Sequence, residues 1–181
     1  MGLWGAFKSA RGFTLPELVL TMAIMTVFFS LTLVTLVKAY KTSLIRSTSD
    51  SVTSAVSTAN ARARNGLYGK YWGVFFDYDN GTRAATQAVV FACDSTYASV
   101  PADCYTNRIA AYDVYYSLNP RPYFYWVDLA GGGATTGDDH YIVFTPLTGE
   151  TGQYGSINLA GTELGIHIDI SPLGTPSREF R

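Results

Sequence analysis

Arg11-Gly12-Phe13-Thr14-Leu15-Pro16-Glu17-Leu18 opens an apolar run that continues to Val37, and Glu17 is the single charged residue within that run. A carboxylate in hydrocarbon is expensive and is normally kept where a partner or a function compensates it. Residues 13–37 have the length of a membrane-spanning helix, which takes roughly 20 apolar residues at about 1.5 Å each. A secretory signal has a shorter apolar core followed by a small-residue cleavage site, and neither is present here. Lys8 and Arg11 precede the run, whereas Lys38, Lys41 and Arg46 follow it, so the positive-inside count leaves the orientation open. Pro16 is compatible with a helix that starts here, because the amides of a first turn have no intrahelical acceptor.

No proline or glycine follows Pro16 until Gly66. Residues 38–65 form a polar stretch rich in Ser, Thr and Ala, in which Ile45, Val52, Val56, Ala59 and Ala63 recur at helical spacing and mark one apolar stripe. Serine and threonine are mediocre helix formers, so packing of that stripe has to hold the stem. The pattern predicts one helix over residues 13–65, about 75 to 80 Å long, closed at Asn65-Gly66 by a left-handed cap. Its first half would lie in a membrane and its second half against a globular head.

From Gly66 onward short aromatic and β-branched runs alternate with Gly, Pro, Asn and Asp, the texture of an antiparallel sheet. Strands are predicted at residues 72–78 and 88–93, joined through Asp79-Asn80-Gly81 as a tight hairpin turn. Further strands are predicted at 113–118, 123–129, 141–145, 156–159 and 164–170. In the last, Leu164, Ile166, Ile168 and Ile170 share one face, with His167 and Asp169 on the other. The predicted fold class is α+β, a long amino-terminal helix packed on a carboxyl-terminal antiparallel head.

Charge is unevenly distributed. The net charge of −1 hides a stem over residues 38–65 with five basic residues against Asp50, and a head from Gly66 with six basic residues against twelve acidic ones. A basic segment beside a membrane span suits anionic headgroups, although ordinary solvated surface explains it as well. The thin basic patch of Arg178 and Arg181 argues against a nucleic-acid partner, which needs clustered Lys and Arg.

A short basic leader ending in Gly12, then Phe13-Thr14-Leu15-x-Glu17-Leu18 and a long apolar helix, resembles the class III signal of type IV pilins and type II secretion pseudopilins. The resemblance implies that a prepilin peptidase cuts between Gly12 and Phe13 and N-methylates Phe13, taking the net charge from −1 to −3 as Lys8 and Arg11 leave. It implies an assembly role for Glu17, whose carboxylate would pair with the amino terminus of a neighbouring subunit; burying the two together costs less than burying either alone. The implied organisation is a leader over 1–12, a transmembrane and filament-core helix over 13–37, an amphipathic stem over 38–65 and a β-rich head over 66–181. The implied partners are other pilin or pseudopilin subunits, the prepilin peptidase, an inner-membrane assembly platform and, before assembly, the lipid bilayer. The implied location is the bacterial inner membrane, single-pass, with the head periplasmic or extracellular, and then a filament. The lack of a helix breaker midway along the apolar run leans towards a minor or pseudopilin subunit.

The head also resembles the GspH/FimT branch of the pseudopilins through Gly73, Val74, Phe76 and Asp77, through Ile142 to Pro146 with Gly149, and through Ile168 to Gly174. Some members of that branch are associated with DNA uptake, so a DNA-binding minor pilin is one alternative. A signal-anchored surface module that keeps residues 1–12 and never polymerises is another.

Cys93 and Cys104 are the only cysteines. Outside the cytoplasm they would form a disulfide, worth roughly 2 to 3 kcal/mol for a loop of this length; two free thiols are the rival reading. Two cysteines leave a tetrahedral zinc under-coordinated, and His140 and His167 lack ligand spacing, so no metal site is expected. Asp77-x-Asp79-Asn80-Gly81 lacks the distal glutamate of a calcium loop. Gly131-Gly132-Gly133 leads into no evident helix and lacks a phosphate cradle. With no nucleophile elbow and no Walker-type loop, no catalytic residue and no cofactor are expected. The aromatic run that includes Tyr112, Tyr115, Tyr116, Tyr123, Tyr125 and Trp126 reads as sheet core or contact surface, with Tyr123 and Tyr125 placed inside and Tyr116 nearer the surface.

Overall fold

The computed structural model describes residues 14–79, 84–119, 123–129, 140–160 and 165–180. Helix α1 runs over Leu15–Arg64. It starts where the amides of Glu17 and Leu18 both donate to the Thr14 carbonyl, at 3.0 and 3.1 Å. It stops at Gly66, which takes φ 59° and donates to the Ala63 carbonyl at 2.9 Å; glycine reaches this left-handed geometry without a Cβ penalty. The chain divides into two compact units, residues 1–39 and 40–181.

In the first unit every large apolar side chain from Leu15 to Val37 is between 47% and 78% exposed. The hydroxyls in this stretch turn back onto their own helix: Thr21 donates to the Leu18 carbonyl, Thr26 to Ala23, Ser30 to Val27, Thr32 to Phe28 and Thr35 to Leu31, at 2.8 to 3.2 Å. Backbone and hydroxyl polarity is thus met within the segment, as a hydrocarbon environment requires.

The second unit holds the later part of α1 and two antiparallel sheets. Strands β1 (Tyr71–Asp79), β2 (Ala84–Cys93), β3 (Val114–Ser117) and β5 (Tyr141–Phe144) form the first sheet in the order β3-β2-β1-β5. Strands β4 (Tyr123–Asp128), β6 (Gly155–Ala160), β7 (Gly165–Ile170) and β8 (Pro176–Phe180) form the second in the order β4-β6-β7-β8. The chain leaves the first sheet after β3, returns for β5 and finishes in the second. Strand alternation sends Trp72, Val74, Phe76, Val90, Ile142 and Phe144 from one sheet and Ile157, Leu159, Ile166, Ile168 and Ile170 from the other into one core with Val52, Val56, Ala59 and Ala63 of α1.

Several expectations are corrected by this arrangement. The antiparallel head consists of two sheets, and β5 enters the first of them on the far side of β1. β8 was not foreseen, since Pro-Ser-Arg-Glu-Phe has no apolar alternation; it is an exposed edge strand held by pairing with β7. The stretch after Cys93, read as loop, contains the short helix α2 (Pro101–Thr106). Tyr116 is the inward residue of β3, half-buried with its hydroxyl 3.0 Å from that of Thr58, whereas Tyr115 is 60% exposed. The Asn80-Gly81 turn, Leu164 and Gly131-Gly132-Gly133 lie outside the described residues, as do the side chains of Tyr123 and Tyr125.

Lower on the stem, Thr48 Oγ1 and Ser49 Oγ are buried and find no hydrogen-bond partner among the described residues. A buried hydroxyl without a partner costs about 1 to 3 kcal/mol of desolvation. Thr48→Val keeps the shape and removes the hydroxyl, so it should raise the stability of the head by roughly 1 kcal/mol. Thermal unfolding of the detergent-solubilised chain reads this directly, and a lower midpoint would show that the hydroxyl is satisfied in solution.

Candidate functional site

The first turn of α1 sets the geometry around Glu17. The Thr14 carbonyl accepts from the amides of Glu17 and Leu18, and Glu17 stands in the first turn of the helix, exposed. A carboxylate there faces the positive end of the helix dipole, which partly compensates it. Among the described residues Glu17 has no ion-pair or side-chain hydrogen-bond partner. Gly12 and Phe13 lie outside the described residues. The site is therefore a carboxylate at the start of a helix whose large apolar side chains from Leu15 to Val37 are exposed.

The other end of α1 is fixed to the head by a polar clamp. Asn60 is buried and its Nδ2 donates to the Gly149 carbonyl at 2.8 Å and to the Leu173 carbonyl at 3.3 Å. Arg64 donates to the same Leu173 carbonyl at 2.9 Å, and the Leu147 amide donates to the Ala63 carbonyl at 2.8 Å. One asparagine thereby ties the last turns of the helix to two separate turns, one after β5 and one between β7 and β8. Gly149 and Gly174 make room for it: both have positive φ, and a Cβ on either would fall within 3 Å of Asn60 Nδ2. Arg62 lies over the Trp72 ring with Cζ 4.7 Å from the centroid. Basic residues of the stem are thus spent partly on the chain's own head.

The remaining sequence candidates fall into place around this scaffold. Cys93 and Cys104 are joined by a disulfide, with Cα atoms 5.4 Å apart. Beside it, burial pushes the Tyr105 hydroxyl above its ordinary range, opposed by the nearby Arg108, and the hydrogen bond from Arg108 to Asp113 raises the guanidinium further. His167 lies on the outer face of the second sheet, with Nε2 2.8 Å from Asp169 and Nδ1 beside Asn158 Oδ1. No cluster of His, Cys, Asp or Glu able to hold a metal occurs among the described residues. Arg178 pairs with Asp50 of the stem, and Arg181 lies outside the described residues.

Sequence reading singled out Glu17 but missed Asn60, since an isolated asparagine inside a helix carries no local signal. Gly149 and Gly174 belong to the motif stretches seen in the sequence, but only the fold shows the close approach to Asn60 that requires glycine there. Gly73 belongs with them: a Cβ there would come 2.5 Å from Phe91 Cζ.

Among the described residues one helix is long and apolar enough to cross a membrane, which fits a membrane-anchored protein. No significant match is found among curated proteins or among solved structures. The prokaryotic N-terminal methylation motif matches residues 7–33, the interval that holds Gly12, Phe13, Glu17 and most of the apolar run, and this match supports a type IV pilin-like protein.

Proposed function

We propose that this chain is a minor pilin or pseudopilin of the GspH/FimT type, a non-enzymatic subunit of a type IV pilus or a type II secretion pseudopilus. The observation that carries the reading is the methylation motif over residues 7–33 placed directly on an uncovered apolar helix with Glu17 in its first turn. In this reading residues 1–12 are removed, Phe13 becomes the methylated amino terminus, and residues 13–37 hold the chain in the inner membrane until it enters a filament. Residues 38–65 then serve as the stem and 66–181 as the exposed head. The membrane is a reservoir: extraction follows when neighbouring helices replace lipid around Leu15 to Val37 and a cation meets Glu17.

The subtype is supported by what its motif residues do physically. Gly73 admits the Phe91 ring, and Gly149 and Gly174 admit the Asn60 clamp, so each glycine answers a close approach that a side chain would block. The disulfide suits a head outside the cytoplasm.

Gly12→Ser should abolish cleavage and leave a product heavier by a leader of about 1 kDa. Mass spectrometry of the purified membrane protein checks it. An unprocessed wild-type chain starting at Met1 would instead identify a signal-anchored surface module, and the filament reading would fall.

A further inference from the structure

The outer face of the first sheet carries a second, smaller apolar cluster. Phe91, Cys93 and Val143 are buried there with Cys104, and Tyr71, Phe75 and Tyr105 pack against them. Strand alternation points these residues away from the main core, whose members are a separate set. An apolar sheet face of this kind needs a cover, and here the cover is neither a sheet nor a long helix. It is the connection between β2 and β3, residues 94–113, which contains the six-residue α2 and single 3₁₀ turns on either side.

Very little holds this cover in place. Its main-chain hydrogen bonds are mostly internal, such as Cys104 to Val100 and Tyr112 to Ile109; among the described residues Ile109 donating to Ala92 is the one that reaches the sheet. A helix of six residues does not keep its shape unaided in water. The rest is held by side chains. The disulfide joins Cys104 on α2 to Cys93, the last residue of β2. The Tyr105 ring sits among Phe75, Phe91 and Tyr141, with centroids 4.2, 5.3 and 5.6 Å away, and Arg108 lies over its other side at 4.3 Å. At the margins Lys70 pairs with Asp94, and Tyr112 packs on Trp72 of the main core at 5.9 Å. The two ends are thus anchored to the head, while the middle rests on one ring and one covalent bond.

We propose that residues 95–109 form a lid over the outer face of the first sheet whose closure is set by the Cys93–Cys104 disulfide, so that a dithiol reductant opens the lid while the rest of the head stays folded. Both cysteines are buried while the lid is closed, so attack follows a transient opening of the lid: one thiolate of the reductant attacks a protein sulfur, and its second thiol resolves the mixed disulfide. The chain gains two thiols, and the reductant leaves as its own cyclic disulfide. Opening exposes Phe91, Val143 and Phe75 and leaves the core around α1 untouched. The lid belongs to the head alone and holds whether or not the chain polymerises.

The test is hydrogen exchange on the full chain in detergent, folded in the oxidised state and then treated with dithiothreitol, beside the Cys93→Ser/Cys104→Ser variant. Losing a closed loop of this length should speed exchange of amides in residues 95–109 by roughly 30- to 140-fold. Amides of β6, β7 and the 40–64 part of α1 should keep their rates. Uniform acceleration across the head would make the bond a support of the whole fold, and unchanged lid rates would make it dispensable; either result overturns the proposal. Tyr105→Ala with the disulfide intact should accelerate the same amides less than reduction does. A larger effect would assign closure to the aromatic anchor instead.

Discussion

Glu17→Val should leave the chain in the membrane and remove it from filaments. Insertion depends on the apolar run from Phe13 to Val37, and exchanging its only carboxylate for valine makes that run more apolar. In the proposed pilin reading, assembly depends on what the carboxylate meets. Once helices have replaced lipid, a neighbour's amino terminus would lie buried without a counter-charge, and breaking a buried pair from one side costs about 3 to 5 kcal/mol. At 1.4 kcal/mol per tenfold that is roughly a hundredfold loss of incorporation or more. Glu17→Gln, which keeps the shape and a hydrogen-bonding end but no charge, should fall between wild type and valine. The measurement is the ratio of chain in sheared filaments to chain in membranes, by immunoblot. Wild-type ratios for both Glu17→Val and Glu17→Ala would end the assembly role of this residue.

Gly174→Ala is expected to be strongly destabilising to the head. Gly174 has φ +72°, and an added Cβ would stand 2.3 Å from Asn60 Nδ2, 2.5 Å from the Gly149 carbonyl oxygen and 2.7 Å from Phe144 Cε1. The left-handed backbone alone costs an alanine about 1 to 2 kcal/mol. Overpacking adds roughly 1 to 3 kcal/mol, and displacing Asn60 leaves a buried amide and carbonyl without partners. These effects are coupled and do not simply add, but together they should lower stability by roughly 3 to 5 kcal/mol and the melting temperature by about 10 °C. Gly152→Ala is the control, because nothing lies within 4 Å of its Cβ position and its φ is ordinary. Thermal unfolding of both variants in detergent decides the matter. Equal midpoints would show that the clamp contributes nothing to the attachment of the helix.

The contrast between these two residues shows what can be read from a chain without its fold. Glu17 announces itself locally: one charge in a span without others is improbable under any single solvent, so the conflict is visible in the residues alone. Asn60 does not, because its meaning comes from two carbonyls 89 and 113 residues further along the chain. The strands were legible where the apolar pattern was strong, as in β1 of the first sheet and β7 of the second. β8 was not, since its order comes from pairing with β7 and from Arg178 meeting Asp50, neither of which leaves an apolar pattern. The inward and outward faces of β3 were misassigned for a related reason. Tyr115 and Tyr116 are equivalent by composition, and only the position of Thr58 on α1 selects Tyr116 as the inward one.

Covalent order alone determined the long helix, because a run with no helix breaker between Pro16 and Gly66 and a continuous apolar stretch leaves no local competitor. It likewise determined the isolation of Glu17 and the β texture of the head. Tertiary structure decided the division into two sheets, the clamp at Asn60 and the covering of the first sheet's outer face by a six-residue helix and its flanking turns. Each of those depends on contacts between segments far apart in sequence, and the free energy of such a contact is set by the space and the polar groups that the other segment supplies.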